Sequence, residues 1–168
     1  VALLLCGQMR TFDYPKVLEN TNKLIEKFNC DVFVSTWSDR GVSVWSEHAV
    51  KNQLKIQQKE KNKIIFDDDI KLIKNVKKFK IDEYQNFLIN ECDDNMRLML
   101  TQSSDILYAS KATSNPCLYK KYSSYQLLEE YMDQENIKYD IIIKTRPDFL
   151  HIHNDIEKYF EKANDTLF

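Results

Sequence analysis

Two hydrophobic periods follow one another along the first forty residues. "VALLLCGQMR" opens with a continuous apolar run, Val1 to Cys6, closed by Gly7. Such a run predicts a strand covered on both faces and ending in a tight turn. Between residues 14 and 28 the period lengthens. Val17, Thr21, Leu24 and Phe28 recur on one face, with Leu18 and Ile25 beside them, and predict an amphipathic helix. Asp13 is placed to cap it, and Pro15 sits in its first turn, where a missing N–H costs nothing. "CDVFVSTW", Cys30 to Trp37, predicts a second strand. Strand, helix and strand in this short span make a βαβ unit, whose strands are parallel.

The pattern then weakens. "SDRGVSVWS" reads as a loop and "EHAVKNQLKIQQKEKNK" as a polar helix. "DDDIKLIKNV" predicts a short acid-capped helix, "KKFKID" a third strand and "EYQNFLINE" another helix, and Asp93 to Ser114 is helical but broken. "NPCLYKKYSSYQLLEEYMDQEN" predicts a long helix with Leu118, Tyr122, Tyr125, Leu128 and Met132 on one face. A last strand covers 139–145. Alternating strands and helices predict an α/β fold of three layers, a mostly parallel sheet flanked by helices.

Composition sharpens this only in places. At 168 residues, 43% hydrophobic, the chain has the size of one domain with a real core, residues 1–168. A net charge of −2 speaks against a nucleic-acid partner. Cys6, Cys30, Cys92 and Cys117 show no metal or disulfide spacing and read as reduced thiols in a cytoplasmic protein. No apolar run approaches the ~20 residues of a membrane span. Residues 51 to 80 hold ten lysines against four acids. That stretch is either a solvated face or a patch leaning on an anionic membrane surface. The chain opens inside a strand without Met and is expected to be a piece of a longer protein.

Candidate chemistry lies where open parallel sheets bind ligands, beyond the carboxyl ends of the strands. After the first strand, Gly7 allows backbone to approach a ligand, Gln8 can pair with a planar polar ring, and Arg10 can fork onto phosphate oxygens. After the second come Ser35, Thr36, Trp37 and Asp39. After the last, in "KYDIIIKTRPDF", come Arg146 and Asp148 around Pro147, which keeps the chain extended so that both side chains leave on one side. If the three ends are neighbours, they surround a crevice suited to an anionic, hydroxyl-rich ligand. If not, Arg146 and Asp148 form a salt-bridged turn. Asp67 to Asp69 are read as helix caps rather than metal ligands. His151 and His153 lack a third placed ligand, and His48 reads as a surface residue. Trp37 is expected in the core, with Trp45 as an alternative stacking platform. P-loop, GxSxG and HExxH motifs do not occur.

"LLLCGQMRTF", "CDVFVSTWSD", "CLYKKYSSYQLLEEY" and "KYDIIIKTRPDF", in that order, resemble a group of bacterial and viral glycosyltransferases of capsule or lipopolysaccharide assembly. Residues 40 to 100 match loosely. The resemblance implies the nucleotide-binding half of a GT-A-like, Rossmann-type fold. It also implies a nucleotide-sugar donor pocket built from Gly7, Gln8 and Arg10 on one side and Arg146 and Asp148 on the other. The acceptor would be a surface glycan or a lipid-linked sugar, met at the cytoplasmic face of the membrane, and the acceptor-binding half would lie beyond Phe168. GT-A enzymes hold Mn²⁺ or Mg²⁺ with an Asp-x-Asp at the last strand end. Here Arg146 stands where the first Asp would be, which leaves Asp148 as the metal ligand and metal dependence open, because an arginine can itself neutralise a diphosphate. The rival reading is a non-catalytic α/β module that binds a nucleotide or a partner protein.

Overall fold

The computed structural model describes residues 1–40, 64–102 and 114–148. The polar helix after residue 46, Trp45, His48, His151, His153 and the lysines from Lys51 to Lys63 lie outside them.

Strands β1 (Ala2–Cys6), β2 (Asp31–Trp37), β3 (Val76–Asp82) and β4 (Ile142–Thr145) form one parallel sheet in the order β3-β2-β1-β4. β1 takes an inner place because every one of its side chains is buried, each large one contributing roughly 1.5–3 kcal/mol. Alternation divides the core. Leu3, Leu5, Val32 and Val34 face helix α1 (Pro15–Phe28) and the single turn α2 (Asp67–Ile70). Ala2, Leu4 and Phe33 face helix α5 (Ser114–Glu135) on the other side. The fold is therefore α/β, Rossmann-like, with helices on both faces of a parallel sheet. Helices α3 (Tyr84–Asn90) and α4 (Asp94–Gln102) lie between β3 and α5 in the chain. Arg97 ties the pair together, donating to the carbonyls of Leu88 at 2.8 Å and Cys92 at 3.0 Å.

The chain order explains the two faces. From β1 through β2 to β3 the sheet grows in one direction; β4 then returns to the far side of β1. Right-handed crossovers that run in opposite directions must place their helices on opposite faces. That is where α1 and α5 stand.

Several local expectations are corrected. Asp13 does not cap α1; Tyr14 holds that position without a side-chain bond, and Asp13 is drawn instead to the buried guanidinium of Arg40. The acidic turn closes as expected, with Asp69 Oδ2 accepting from the Phe66 N–H at 2.9 Å, but it is much shorter. Asn75 adopts a left-handed conformation (φ 52°) and donates to the Cys30 carbonyl at 2.7 Å, which turns the chain into β3 beside β2. The buried stripe of α5 also differs. Leu118, Tyr122 and Tyr125 are exposed, while Lys120, Ser123, Ser124, Leu127 and Leu128 are buried. Small serines let the helix approach the sheet, and Ser124 Oγ is satisfied by the Lys121 carbonyl at 2.7 Å. Five lysines of the basic stretch are described, and each has an acidic partner: Lys71 with Asp68, Lys74 with Glu26, Lys77 with Asp31, Lys78 with Glu130 and Lys80 with Asp82. Among the described residues no helix is long and apolar enough to cross a membrane.

Candidate anion-binding crevice

In a parallel sheet all carboxyl ends share one edge, and the chain changes direction between β1 and β4. That reversal leaves a gap no crossover covers, the place where such sheets bind ligands. A cavity of about 540 Å³ occupies it. The β1 end supplies Cys6, Gly7, Gln8 and Arg10, and the β4 end supplies Lys144, Thr145 and Arg146. Because α5 runs against the strands, its first turns reach the same edge and add Pro116, Cys117 and Lys121. Trp37 and Tyr84 close an aromatic side.

Gly7 has φ +117°, a conformation other residues rarely adopt, and its N–H donates to the Ser35 carbonyl at 3.0 Å. This redirects the chain so that Met9 enters the core and Gln8 and Arg10 turn toward the crevice. Gln8 Oε1 accepts from Arg10 Nε at 3.1 Å. On the other rim Arg146 grips Asp148 through both carboxylate oxygens, Nε to Oδ1 at 2.9 Å and Nη2 to Oδ2 at 2.6 Å. Arg10 Nε stands 3.9 Å from Asp148 Oδ2. The salt-bridged reading of the "TRPD" turn is present, and of the crevice reading the ends of β1 and β4 come together. The turn is salt-bridged, and it also meets Gln8 and Arg10 at one place. Burial, and next the charge of Arg146, pull the Arg10 pKa down, while Asp148 opposes the shift.

Charge balance is the main property of this crevice. Among the described residues Arg10, Lys121, Lys144 and Arg146 line it, and no carboxylate does. Asp148 sits behind the arginines with 6% of its side chain exposed, and offsets one positive charge. The Cys6 thiol is also on the wall, its pKa raised by burial against the opposing pull of Lys144 and Lys121.

The donor set does not suit the metal that the resemblance implies. Both Asp148 oxygens are engaged by Arg146. Among the described residues no group of three or more His, Cys, Asp or Glu side chains could hold an ion. Thr36 and Asp39 do not join the crevice either. Thr36 is fully buried, its hydroxyl directed to the Trp37 carbonyl at 3.4 Å, and Asp39 is exposed and bridges to Ile64. Strand alternation explains Thr36, which shares the inward face of Val32 and Val34.

Sequence reasoning missed Lys121, Lys144, Tyr84 and Cys117. A signal existed for Cys117 and Lys121, which stand one helical turn apart at the start of the helix that delivers the chain to the last strand. It also missed Lys120, whose side chain is fully buried, with Nζ 2.5 Å from Asp82 Oδ2 and 4.1 Å from the centre of the Trp37 ring. Burial lowers its pKa to about 8 against the opposing pull of Asp82.

Comparison of the chain with protein-family models, with curated proteins and with solved structures finds no match.

Proposed function

We propose that the chain is the donor-binding part of a glycosyltransferase that moves a sugar from a nucleoside diphosphate to a surface-glycan or lipid-linked acceptor at the cytoplasmic face of a membrane. One observation carries this reading: a cavity of about 540 Å³ at the sheet's reversal point, lined among the described residues by four cations and no carboxylate. Its volume suits a small organic ligand. Its charge suits a diphosphate, and its aromatic side suits a planar base. The resemblance of "GQMR" and "TRPD" to the transferase group, carried by the same residues, points the same way.

In this reading Arg146 and Arg10 bind phosphate oxygens, and Lys121 and Lys144 add point charges. Cations fixed where the nucleoside diphosphate leaves stabilise the charge that develops as the glycosidic bond breaks. Gln8 is the group offered to base or ribose. One observation favours the rival, a non-catalytic nucleotide-binding module: no carboxylate or histidine among the described residues lines the cavity to act as a base.

A thermal-shift assay with UDP- and GDP-sugars tests the donor site. Ligand at about 100 times its Kd stabilises by about 2.7 kcal/mol, worth roughly 5–10 °C for a chain of this size. Arg146→Ala should remove the rise. Absence of any shift with either family of sugar nucleotides would end the donor-site reading. A shift without sugar release onto any acceptor would favour the module.

A further inference from the structure

We propose that the crevice is a metal-independent diphosphate clamp in which Asp148 acts as a positioning residue for two arginines rather than as a ligand for a divalent cation. The inference rests on the donor-site reading but makes a separate claim about how charge is neutralised there.

Three observations support it. First, the Asp148 carboxylate is consumed: both oxygens accept from Arg146, at 2.9 and 2.6 Å, in the two-point geometry that matches a guanidinium to a carboxylate. A cation would have to share these oxygens with guanidiniums whose positive charge opposes its approach, at a side chain only 6% exposed. Second, Asp148 Oδ2 is shared, since Arg10 Nε approaches it at 3.9 Å from the β1 side. One carboxylate thereby holds two like-charged groups side by side, against the mutual repulsion that helps to lower the Arg10 pKa. Third, neutralising capacity is supplied without metal. Arg10, Arg146, Lys121 and Lys144 all line the cavity, and two guanidiniums flanked by two ammonium groups can offset the charge of a diphosphate.

Calorimetric titration of the chain with inorganic pyrophosphate and with orthophosphate, first in EDTA and then with Mg²⁺ or Mn²⁺, tests the clamp. Pyrophosphate should bind in EDTA and outcompete orthophosphate at least about tenfold, because one phosphate occupies the two arginines and only the longer anion has a second phosphate for Lys121 and Lys144. Added Mg²⁺ should weaken binding or leave it unchanged, since the metal competes with the arginines for the same oxygens. Arg146→Ala should cost about 10- to 100-fold in pyrophosphate affinity, and Arg146→Lys, which keeps the charge and loses the fork, should recover only part of it. Asp148→Asn should weaken the binding of both anions by a similar factor, in EDTA as with Mg²⁺, the outcome expected of a group that holds the two arginines side by side.

Binding that is absent in EDTA, appears with Mn²⁺ and vanishes in Asp148→Asn would overturn the clamp and make Asp148 a metal ligand. Equal affinity for the two anions, or no binding of either, would overturn it as well. The two proposals fail separately. Sugar nucleotides that bind only with metal would leave the transferase reading standing without the clamp. Pyrophosphate bound in EDTA by a chain indifferent to every sugar nucleotide would do the reverse.

Discussion

Two cation–carboxylate clusters lie at the carboxyl edge of the sheet, one near β4 and one near β3, and they have opposite characters. Near β3, Lys120 is fully enclosed, one carboxylate oxygen of Asp82 meets it, and the Trp37 ring covers it at 4.1 Å. Lys80 shares Asp82 from the exposed side at 3.3 Å. Around them Trp37, Tyr84, Phe87 and Tyr119 pack with ring centres 4.8 to 5.9 Å apart. Near β4, Asp148 is outnumbered by arginines that remain partly open to solvent, 20% for Arg10 and 34% for Arg146. A buried lysine held between a partly exposed carboxylate and aromatic rings serves packing. A cluster with surplus charge and an open side has something left to offer a ligand. What separates the candidate site from the strut here is an excess of cations over carboxylates among the described residues, with access, since salt bridges occur in both.

That contrast can be broken experimentally. The largest effect is expected at the sealed pair. Asp82→Asn removes the partner that holds the Lys120 pKa up and leaves a buried amine that is either unpaired or forced to give up its proton, and should cost about 3 kcal/mol in urea unfolding at pH 7. Lys120→Met, which removes the buried charge and leaves Asp82 with Lys80, should cost under about 1 kcal/mol. A loss for Lys120→Met equal to that for Asp82→Asn would show that the pair itself, rather than its unpaired charge, governs stability.

The next effect is a pH dependence. The folded protein holds the Lys120 proton less tightly, with a pKa near 8 against an ordinary 10.5. Between those values the unfolded chain therefore binds more protons, and this group's contribution to stability rises with pH. Cys6, Cys30, Cys92 and Tyr139, whose pKa values burial raises, act in the opposite sense at alkaline pH. The informative quantity is the difference between the wild type and Lys120→Met. Between pH 7 and 9.5 it should move by about 2 kcal/mol in favour of the wild type. A flat difference would mean that Lys120 titrates normally and is solvated.

Smaller effects belong to the open crevice. A side chain at Gly7 meets nothing within 4 Å, so Gly7→Ala should cost only the backbone strain of φ +117°, about 1–2 kcal/mol. It should also weaken anion binding, by moving Gln8 and Arg10. Asp148→Asn should change stability least, by less than about 1 kcal/mol, because both arginines can turn to water. A loss there as large as that for Asp82→Asn would erase the distinction between the two clusters.

Much of the framework was legible in the sequence. The apolar run at 1–6, the helical period at 14–28 and the mixed run at 30–37 correspond to β1, α1 and β2 within a residue or so of their ends. Gln8 and Arg10 were recognisable as strand-end groups, as were Arg146 and Asp148. The buried face of α5 was not. Tyr122 and Tyr125 look more like core than Lys120, and only the Asp82 carboxylate from β3 and the Trp37 ring from β2 make a buried lysine tolerable there. Lys144 and Lys121 were missed for a similar reason. Each belongs to an element whose own pattern gives no hint of which cavity it will border.

By itself, then, the sequence determined the local elements and their parallel sense, because hydrophobic period and the handedness of short crossovers are properties of neighbouring residues. Only tertiary structure decided that β4 pairs with β1 rather than β3. That choice brings residues 10 and 148 within 3.9 Å, opens the crevice between the two strand ends and turns α5 to the other face. It depends on contacts between segments more than a hundred residues apart, whose strength is set by how two surfaces fit and which charges they bring together, and no local period encodes that.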